Sequence, residues 1–158
     1  MKFLKIILFF LLTQILFAER MEISSKLMET GDSEVRFIGD TKIKVDDSWL
    51  HADEVIVYFD ENNETKMYEA TGSVYFEIKG KTHSFKGRAN KLIYDKWKSL
   101  YVLKGKAVIN DNDFVLKRNI KGDKITLNMM TGRMNVKGGP VSTKFFIKLN
   151  DVRRSFGL

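Results

Sequence analysis

The stretch Tyr101-Val102-Leu103-Lys104-Gly105 places apolar side chains four and two residues before a glycine. The same arrangement recurs every 33 residues, because glycines stand at positions 39, 72, 105 and 138. The residues four before these glycines are Val35, Tyr68, Tyr101 and Met134, and the residues two before them are Phe37, Ala70, Leu103 and Val136. Apolar residues at every second position predict a strand with one buried face, which ends at a glycine where the chain bends. The chain is therefore predicted to be an array of repeated strands.

A second recurring element lies between the glycines and reads small, Asp or Asn, charged, apolar. Its copies are Ala52-Asp53-Glu54-Val55, Ala89-Asn90-Lys91-Leu92 and Gly122-Asp123-Lys124-Ile125. Each unit thus contains at least two strands, joined by polar turns such as residues 60–63, 95–98 and 111–113. Helix is disfavoured, because β-branched and aromatic residues dominate at a spacing of two. The sequence predicts an all-β chain of short antiparallel strands, either a sandwich, a jelly roll or a stacked solenoid, with open ends.

The first 18 residues differ from the rest. Lys2 and Lys5 precede an unbroken apolar run over residues 6–12, and residues 15–18 continue it. This pattern predicts a signal peptide over residues 1–18 that is cleaved after Ala18. The alternative is an uncleaved membrane anchor, although about 20 apolar residues are needed to span a bilayer. We therefore expect an exported domain over residues 19–150 and a tail over residues 151–158.

Charge is divided unevenly along the chain. Residues 19–79 contain 15 acidic and 7 basic side chains, net −8, whereas residues 80–158 contain 5 acidic and 18 basic ones, net +13. A basic half can indicate nucleic-acid binding, but here the basic residues are spread singly along strands of an exported chain. Anionic lipid headgroups or an acidic protein surface are the better expectation, and no nucleic-acid partner is predicted.

The sequence offers little for catalysis or metal binding. It contains no cysteine, and His51 and His83 do not have the spacing of a metal site. The pairs Asp46 with Asp47 and Asp111 with Asp113 lie in predicted turns, where Asp is favoured for local hydrogen bonds. We predict no catalytic residue, no metal, no cofactor and no enzyme activity.

Residues 87–95 (GRANKLIYD), 101–107 (YVLKGKA) and 120–126 (IKGDKIT) resemble, in order and spacing, the LptA/OstA family of lipopolysaccharide-transport proteins. The resemblance runs from about Gly39 to Gly138. It implies a twisted antiparallel β jelly roll, open at both ends, whose sheets enclose an apolar groove for the acyl chains. It also implies a non-enzymatic periplasmic carrier of lipopolysaccharide that bridges the inner and outer membranes. The implied partners are a second copy docked head to tail, an inner-membrane LptC-like domain and an outer-membrane LptD-like domain.

The side chains expected to line this groove occupy inward-facing strand positions. Burying an acyl methylene contributes about 0.8 kcal/mol, so a carrier needs a continuous apolar lining. The candidates are Phe37, Ile43, Val55, Val57, Phe59, Val74, Phe76, Ile78, Leu92, Tyr94, Leu103, Val108, Ile125, Leu127 and Val136. Alternation gives the buried face of a strand but does not separate a lipid groove from a closed core, so both interpretations stand.

Three other functions fit parts of the sequence. A membrane-anchored, LptC-like partner of the same pathway would retain the segment over residues 1–18. An exported jelly-roll enzyme acting on envelope glycans would need a nucleophile, metal site or carboxylate pair that the sequence does not supply. A purely structural repeat protein of the envelope would have a closed core and would bind no lipid.

Overall fold

The computed structural model describes residues 21–79, 84–112 and 116–147. The predicted signal peptide over residues 1–18 and the tail over residues 151–158 lie outside the described residues. Ten strands are present: β1 (Met21–Ser24), β2 (Leu27–Thr30), β3 (Glu34–Val45), β4 (Ser48–Phe59), β5 (Thr65–Lys79), β6 (Ser84–Asp95), β7 (Leu100–Asn112), β8 (Leu116–Asn128), β9 (Met134–Lys137) and β10 (Ser142–Ile147). In this part of the chain no helix is long and apolar enough to cross a membrane.

The strands form one antiparallel sheet in which each long strand pairs with the next along the chain, from β3 to β8. Both edges are broken. At one edge β1 and β2 pair with successive parts of β3, and at the other β9 and β10 pair with successive parts of β8. The sheet therefore has eight rows and two open edges, and the all-β, antiparallel prediction is confirmed.

Each long strand changes course near its middle. In β5 the residues at the bend are Gly72 and Ser73, with φ of 79° and 45°, and in β7 they are Gly105 and Lys106, with φ of 75° and 48°. These left-handed conformations are strained for most residues but open to glycine. The ladder shifts register at both places, which is the pattern of a β-bulge. Glycines 39, 72 and 105 thus bend strands that continue beyond them, whereas the sequence pattern had them ending strands.

The second repeat element lies on the preceding strand, directly beside Gly72 and Gly105. A Cβ added to Gly72 would lie 2.7 Å from the Cβ of Asp53, and one added to Gly105 would lie 3.0 Å from the Cβ of Asn90. The Asp or Asn side chain of one strand therefore covers the glycine of the next. Asp53 and Asn90 are exposed, and so is the covering residue Asp123 over Gly138.

The bends divide the sheet into two half-sheets. The first half-sheet contains β1, β10 and the segments 41–45, 48–52, 74–79, 84–89, 107–112 and 116–122, and the second contains β2, β9 and the segments 34–38, 54–59, 65–71, 91–95, 100–104 and 124–128. Apolar side chains of both halves form a single buried cluster, so the half-sheets pack face to face like a jelly roll.

Candidate functional site: an apolar cleft between the half-sheets

An apolar cleft of about 370 Å³ opens between the two half-sheets. Its lining comes from both of them, with Phe76 and Ile43 on the first half-sheet and Leu92 and Val55 on the second. On the side away from the bends, the cleft reaches the strand ends. We call this side the mouth; it is formed by Ser48, Trp49, Leu50, Glu77, Ile78, Tyr94, Lys96 and Tyr101. A cleft of this size, mostly apolar with a few polar groups at one end, is typical of a small-molecule site.

Most of the predicted groove residues face this interior. Ile43, Val55, Phe76, Ile78, Leu92 and Tyr94 line the cleft itself. Val57, Val74, Leu103, Ile125 and Leu127 belong to the buried cluster, and Phe37, Phe59 and Val136 pack against it. The structure therefore separates the predicted set into side chains that reach the cleft and side chains that fill the core behind it.

Val108 does not face the interior, and its assignment to the groove lining is corrected here. It lies opposite Arg88 and Lys121 on the outer face, while its neighbour Ile109 is fully buried. The reason is the strict alternation of β7. The strand buries positions 103, 107 and 109, and the two left-handed residues Gly105 and Lys106 leave this odd-numbered series unchanged, so position 108 faces outward.

Sequence reasoning missed the aromatic part of the lining. Tyr68, Tyr94 and Tyr101 lie directly opposite one another on β5, β6 and β7. Their ring centroids are 6.2 Å apart for Tyr68 and Tyr94 and 4.3 Å apart for Tyr94 and Tyr101, with nearly parallel planes. Only Tyr94 was among the candidates, although Tyr68 and Tyr101 each stand four residues before a repeat glycine. That position was a usable signal for this tyrosine ladder.

The buried hydroxyl of Tyr101, in the tyrosine ladder, stays uncharged. Burial raises the pKa of the Tyr101 hydroxyl far above its ordinary value, and the neighbouring Tyr94 and Tyr68 raise it further. Tyr101 is therefore a neutral phenol at any physiological pH. The ladder contributes broad apolar ring faces to the cleft.

Polar groups gather at the mouth. Beside the mouth, on the outer face of the first half-sheet, the indole N–H of Trp49 donates a hydrogen bond to Glu77 at 3.0 Å, and the ammonium of Lys86 lies 3.6 Å from the same carboxylate. Lys96 stands near the opposite rim, in the turn after β6. An occupant whose apolar part enters the cleft would keep its polar part among these groups and water.

A charged pair faces the interior at the turn end of the first half-sheet. Asp111 is 1% exposed and accepts a hydrogen bond from Arg118 on the adjacent strand β8. The sequence interpretation assigned Asp111 to a turn with Asp113. That assignment is corrected, because Asp111 lies within β7 opposite Phe85 and Arg118; Asp113 lies outside the described residues.

The two sheet edges are the remaining candidate surfaces. Met21, Leu27 and Met28 are exposed on the edge formed by β1 and β2, and Val141 is exposed just before β10 on the other edge. Unpaired strand edges can add a further strand from another chain. Within the described residues, no group of three or more His, Asp or Glu side chains is placed to hold a metal ion.

Both the sequence and the fold of this chain are similar to those of known proteins. Residues 18–133 match the family model described as LptA/(LptD N-terminal domain) LPS transport protein. The fold is similar to the crystal structure of LptH, the LptA homologous periplasmic component of the lipopolysaccharide transport device from Pseudomonas aeruginosa. That match has a TM-score of 0.67 and 16% identity, and it covers 82% of this chain and 96% of LptH. A search of the curated proteins finds no match.

Proposed function

The chain belongs to the LptA/LptD N-terminal-domain family of lipopolysaccharide-transport proteins, and we propose that it carries lipopolysaccharide with the acyl chains in the cleft between its half-sheets. The observation that carries this proposal is the cleft itself, because it is apolar and open at the strand ends. Each acyl methylene moved from water into such a site contributes about 0.8 kcal/mol.

The burial pattern supports an open cleft over a closed core. Near the bend, the inward side chains Ala52, Ala89 and Ala107 are small and almost fully buried. Small side chains allow the two half-sheets to approach closely there. At the mouth, the larger side chains of Leu50 and Ile78 pack against the core yet remain half-buried. Apolar surface left partly exposed inside a cleft is available to an apolar ligand.

The polar groups at the mouth support an orientation in which the acyl chains of lipopolysaccharide enter the cleft and its sugars remain outside. Lipopolysaccharide joins acyl chains to phosphorylated sugars, so only one end of the molecule can enter an apolar cleft without a desolvation penalty. Lys96 and the hydrogen-bonded pair of Trp49 and Glu77 lie where the sugar end would emerge. The acyl chains then contact the tyrosine ladder and Phe76, while the sugars stay in water.

The open edges support a bridging role. An added strand beside β1 and β2, or beside β9 and β10, would extend the sheet and the cleft into the next protein. We propose that copies of this chain stack head to tail, and that the stack ends on an LptC-like domain at the inner membrane and an LptD-like domain at the outer membrane. The exposed apolar residues Met21, Leu27, Met28 and Val141 would be covered by such stacking.

We place the carrier in the periplasm, after removal of residues 1–18. The basic and apolar start of the sequence motivates this placement, and the neighbour LptH is described as a periplasmic component. Intact-mass measurement of the exported protein tests it. A mass that includes residues 1–18 would contradict cleavage and favour the membrane-anchored, LptC-like alternative.

Photocrosslinking tests the cleft directly, and β5 supplies a matched pair of positions. A benzophenone amino acid at Phe76 would face the cleft, whereas one at the adjacent Tyr75, which is 49% exposed, would face outward. In cells that make lipopolysaccharide, we expect a lipopolysaccharide adduct from position 76 and little from position 75. Leu92 is a second cleft position on another strand, in case the probe at 76 prevents folding.

Equal adducts from positions 75 and 76 would contradict binding in the cleft. If neither position 76 nor position 92 forms an adduct in folded protein, the structural repeat protein becomes the better interpretation.

A further inference from the structure

Four lysines stand directly opposite one another across the second half-sheet. The register pairs Lys91 of β6 with Lys104 of β7, Lys104 with Lys124 of β8, and Lys124 with Lys137 of β9. Neighbouring strands are about 4.8 Å apart, so the row extends for roughly 14 Å. We call these four residues the lysine row. The sequence does not reveal it, because consecutive members are 13 to 20 residues apart and are brought together by strand pairing.

The lysine row lies on the outer face, away from the cleft. On each strand the next or preceding residue points inward: Leu92, Leu103 and Ile125 are buried, and Val136 packs against the core. Because strand side chains alternate, the lysines beside them point outward. Lys104, Lys124 and Lys137 are exposed accordingly.

Such a row works against the stability of the sheet. Like charges directly opposite each other on adjacent strands are destabilising. Lys91 is relieved by an ion pair with Glu69 at 2.6 Å. Lys104, Lys124 and Lys137 form no ion pair within 4 Å among the described residues. Three adjacent, unpaired cations on one flat face are a surface that an anionic partner would stabilise.

Further exposed cations lie near the row. Across the bend, Arg88 and Lys121 lie on the outer face of the first half-sheet, and Lys106 is exposed at the bend itself. The carboxylate nearest the row at the bend is Asp123, whose side chain lies over Gly138 and Gly139. All of these cations lie within about one or two Debye lengths of each other at physiological salt, so their potentials add.

In the N-terminal strands, the positions that continue the lysine row are not basic. Continuing it from Lys91 leads to Thr71, Glu54 and Ile38. Glu54 is paired with Arg36 at 3.1 Å. The positive face is therefore confined to the strands from β6 to β10, and the acidic half of the chain lies beyond it.

We propose that the lysine row docks the protein on the anionic headgroup surface of a lipid bilayer. Lysine is a compact, hydrated point charge without the planar fork that arginine offers to a fixed carboxylate. Protein interfaces usually depend on buried aromatic or arginine anchors. The row contains none, and the exposed large apolar side chains of the described residues lie elsewhere, on the edge strands, at the turns and at position 75. Delocalised lysines suit a fluid layer of phosphates better than a protein surface.

This docking would not use the cleft. The row lies on the opposite side of the second half-sheet from the buried cluster, so a docked molecule keeps its mouth free. Membrane docking and acyl-chain binding are therefore separable by experiment. The acidic N-terminal strands would be repelled by the same headgroups, which gives the docked molecule a preferred orientation.

Vesicle co-sedimentation of the full chain tests the proposal. The test variant is K104E/K124E/K137E, and the matched control is K44E/K66E/K79E, which reverses three exposed lysines outside the row and changes the net charge equally. Each lysine near an anionic surface contributes about a fivefold factor in partitioning. On vesicles of phosphatidylethanolamine and phosphatidylglycerol, we expect the row variant to bind at least about 100-fold more weakly than the unmodified chain.

The control variant should lose far less, and raising the salt concentration should weaken the unmodified chain toward the row variant. On vesicles of phosphatidylcholine alone, the three proteins should bind equally weakly, since that surface has no net charge. Equal binding of the row variant and the unmodified chain to anionic vesicles would overturn the assignment, and an acidic protein would then be the better occupant. Equal losses in the row and control variants would also overturn it. A lipopolysaccharide adduct from position 76 that persists in the row variant shows that the cleft still works.

Discussion

The bend and the mouth of the cleft are built by the same strands, yet they differ in how closely side chains pack. At the bend, Ala52, Ala89 and Ala107 are almost fully buried, and glycines of the next strand lie against Asp53 and Asn90, which follow Ala52 and Ala89. At the mouth, Leu50, Ile78 and Tyr94 remain half-buried. Close packing fixes the angle between the half-sheets, and the space left at the other end is what a ligand can fill.

The bend offers the largest expected effect. Gly105→Ala should lower the free energy of unfolding by about 3 kcal/mol, because alanine is strained at a φ of 75° and its Cβ would lie 3.0 Å from that of Asn90. Gly132→Ala is the matched control: its φ is 67°, but nothing lies within 4 Å, so about 1 kcal/mol is expected. Urea unfolding measures both.

Removing the opposing side chain isolates the cause. In the double variant Asn90→Gly with Gly105→Ala, the alanine meets no neighbour at position 90, so it should cost less than it does against Asn90. If Gly105→Ala costs the same in both backgrounds, or no more than Gly132→Ala, the bend does not depend on the close approach.

The charged pair at the turn end of the first half-sheet should give an intermediate effect. Arg118→Met leaves the carboxylate of Asp111 buried without its partner, and a loss of about 2 kcal/mol in the free energy of unfolding is expected. Asp111→Asn should cost less, because the Arg118 side chain is 37% exposed and water can solvate it. Thermal and urea unfolding compare the two; a larger loss for Asp111→Asn would contradict this account.

The smallest effect is expected at the mouth, as a change in how the free energy of unfolding depends on pH. Burial raises the pKa of Tyr101, so above the ordinary tyrosine value of about 10 the unfolded chain loses a proton that the folded chain keeps. The unfolded state then binds fewer protons, and stability falls as pH rises through that range. Below about pH 9 this contribution is fully present.

Tyr101→Phe should therefore flatten the fall in unfolding free energy between about pH 10 and 11 relative to the unmodified protein. All other side chains are the same in both proteins, so the difference between the two curves reports Tyr101. Parallel curves across this range would show that the buried phenol is not linked to folding.

The bend also shows how far a local pattern can be interpreted. Period-two alternation identified the strands and most of their inward side chains, because alternation is a property of each strand alone. The choice of Val108 departed from the alternation that runs from Leu103 to Ile109. The 33-residue spacing identified the bend glycines, because a spacing is likewise counted directly along the chain. That the strands continue through Gly72 and Gly105 depends on the preceding strand supplying Asp53 or Asn90, which no single strand records.

By itself, the sequence determined the all-β class, the repeat, the apolar face of each strand and the division of charge, since these follow from composition and spacing along the chain. Only the tertiary structure decided which inward side chains reach the cleft and that four lysines form one row. Both depend on register between strands, and a shift of one residue at a bulge exchanges the inner and outer faces of everything beyond it. β6 illustrates this dependence: Ala89 and Leu92 are both buried although an odd number of positions separates them, because the register shifts between Arg88 and Lys91.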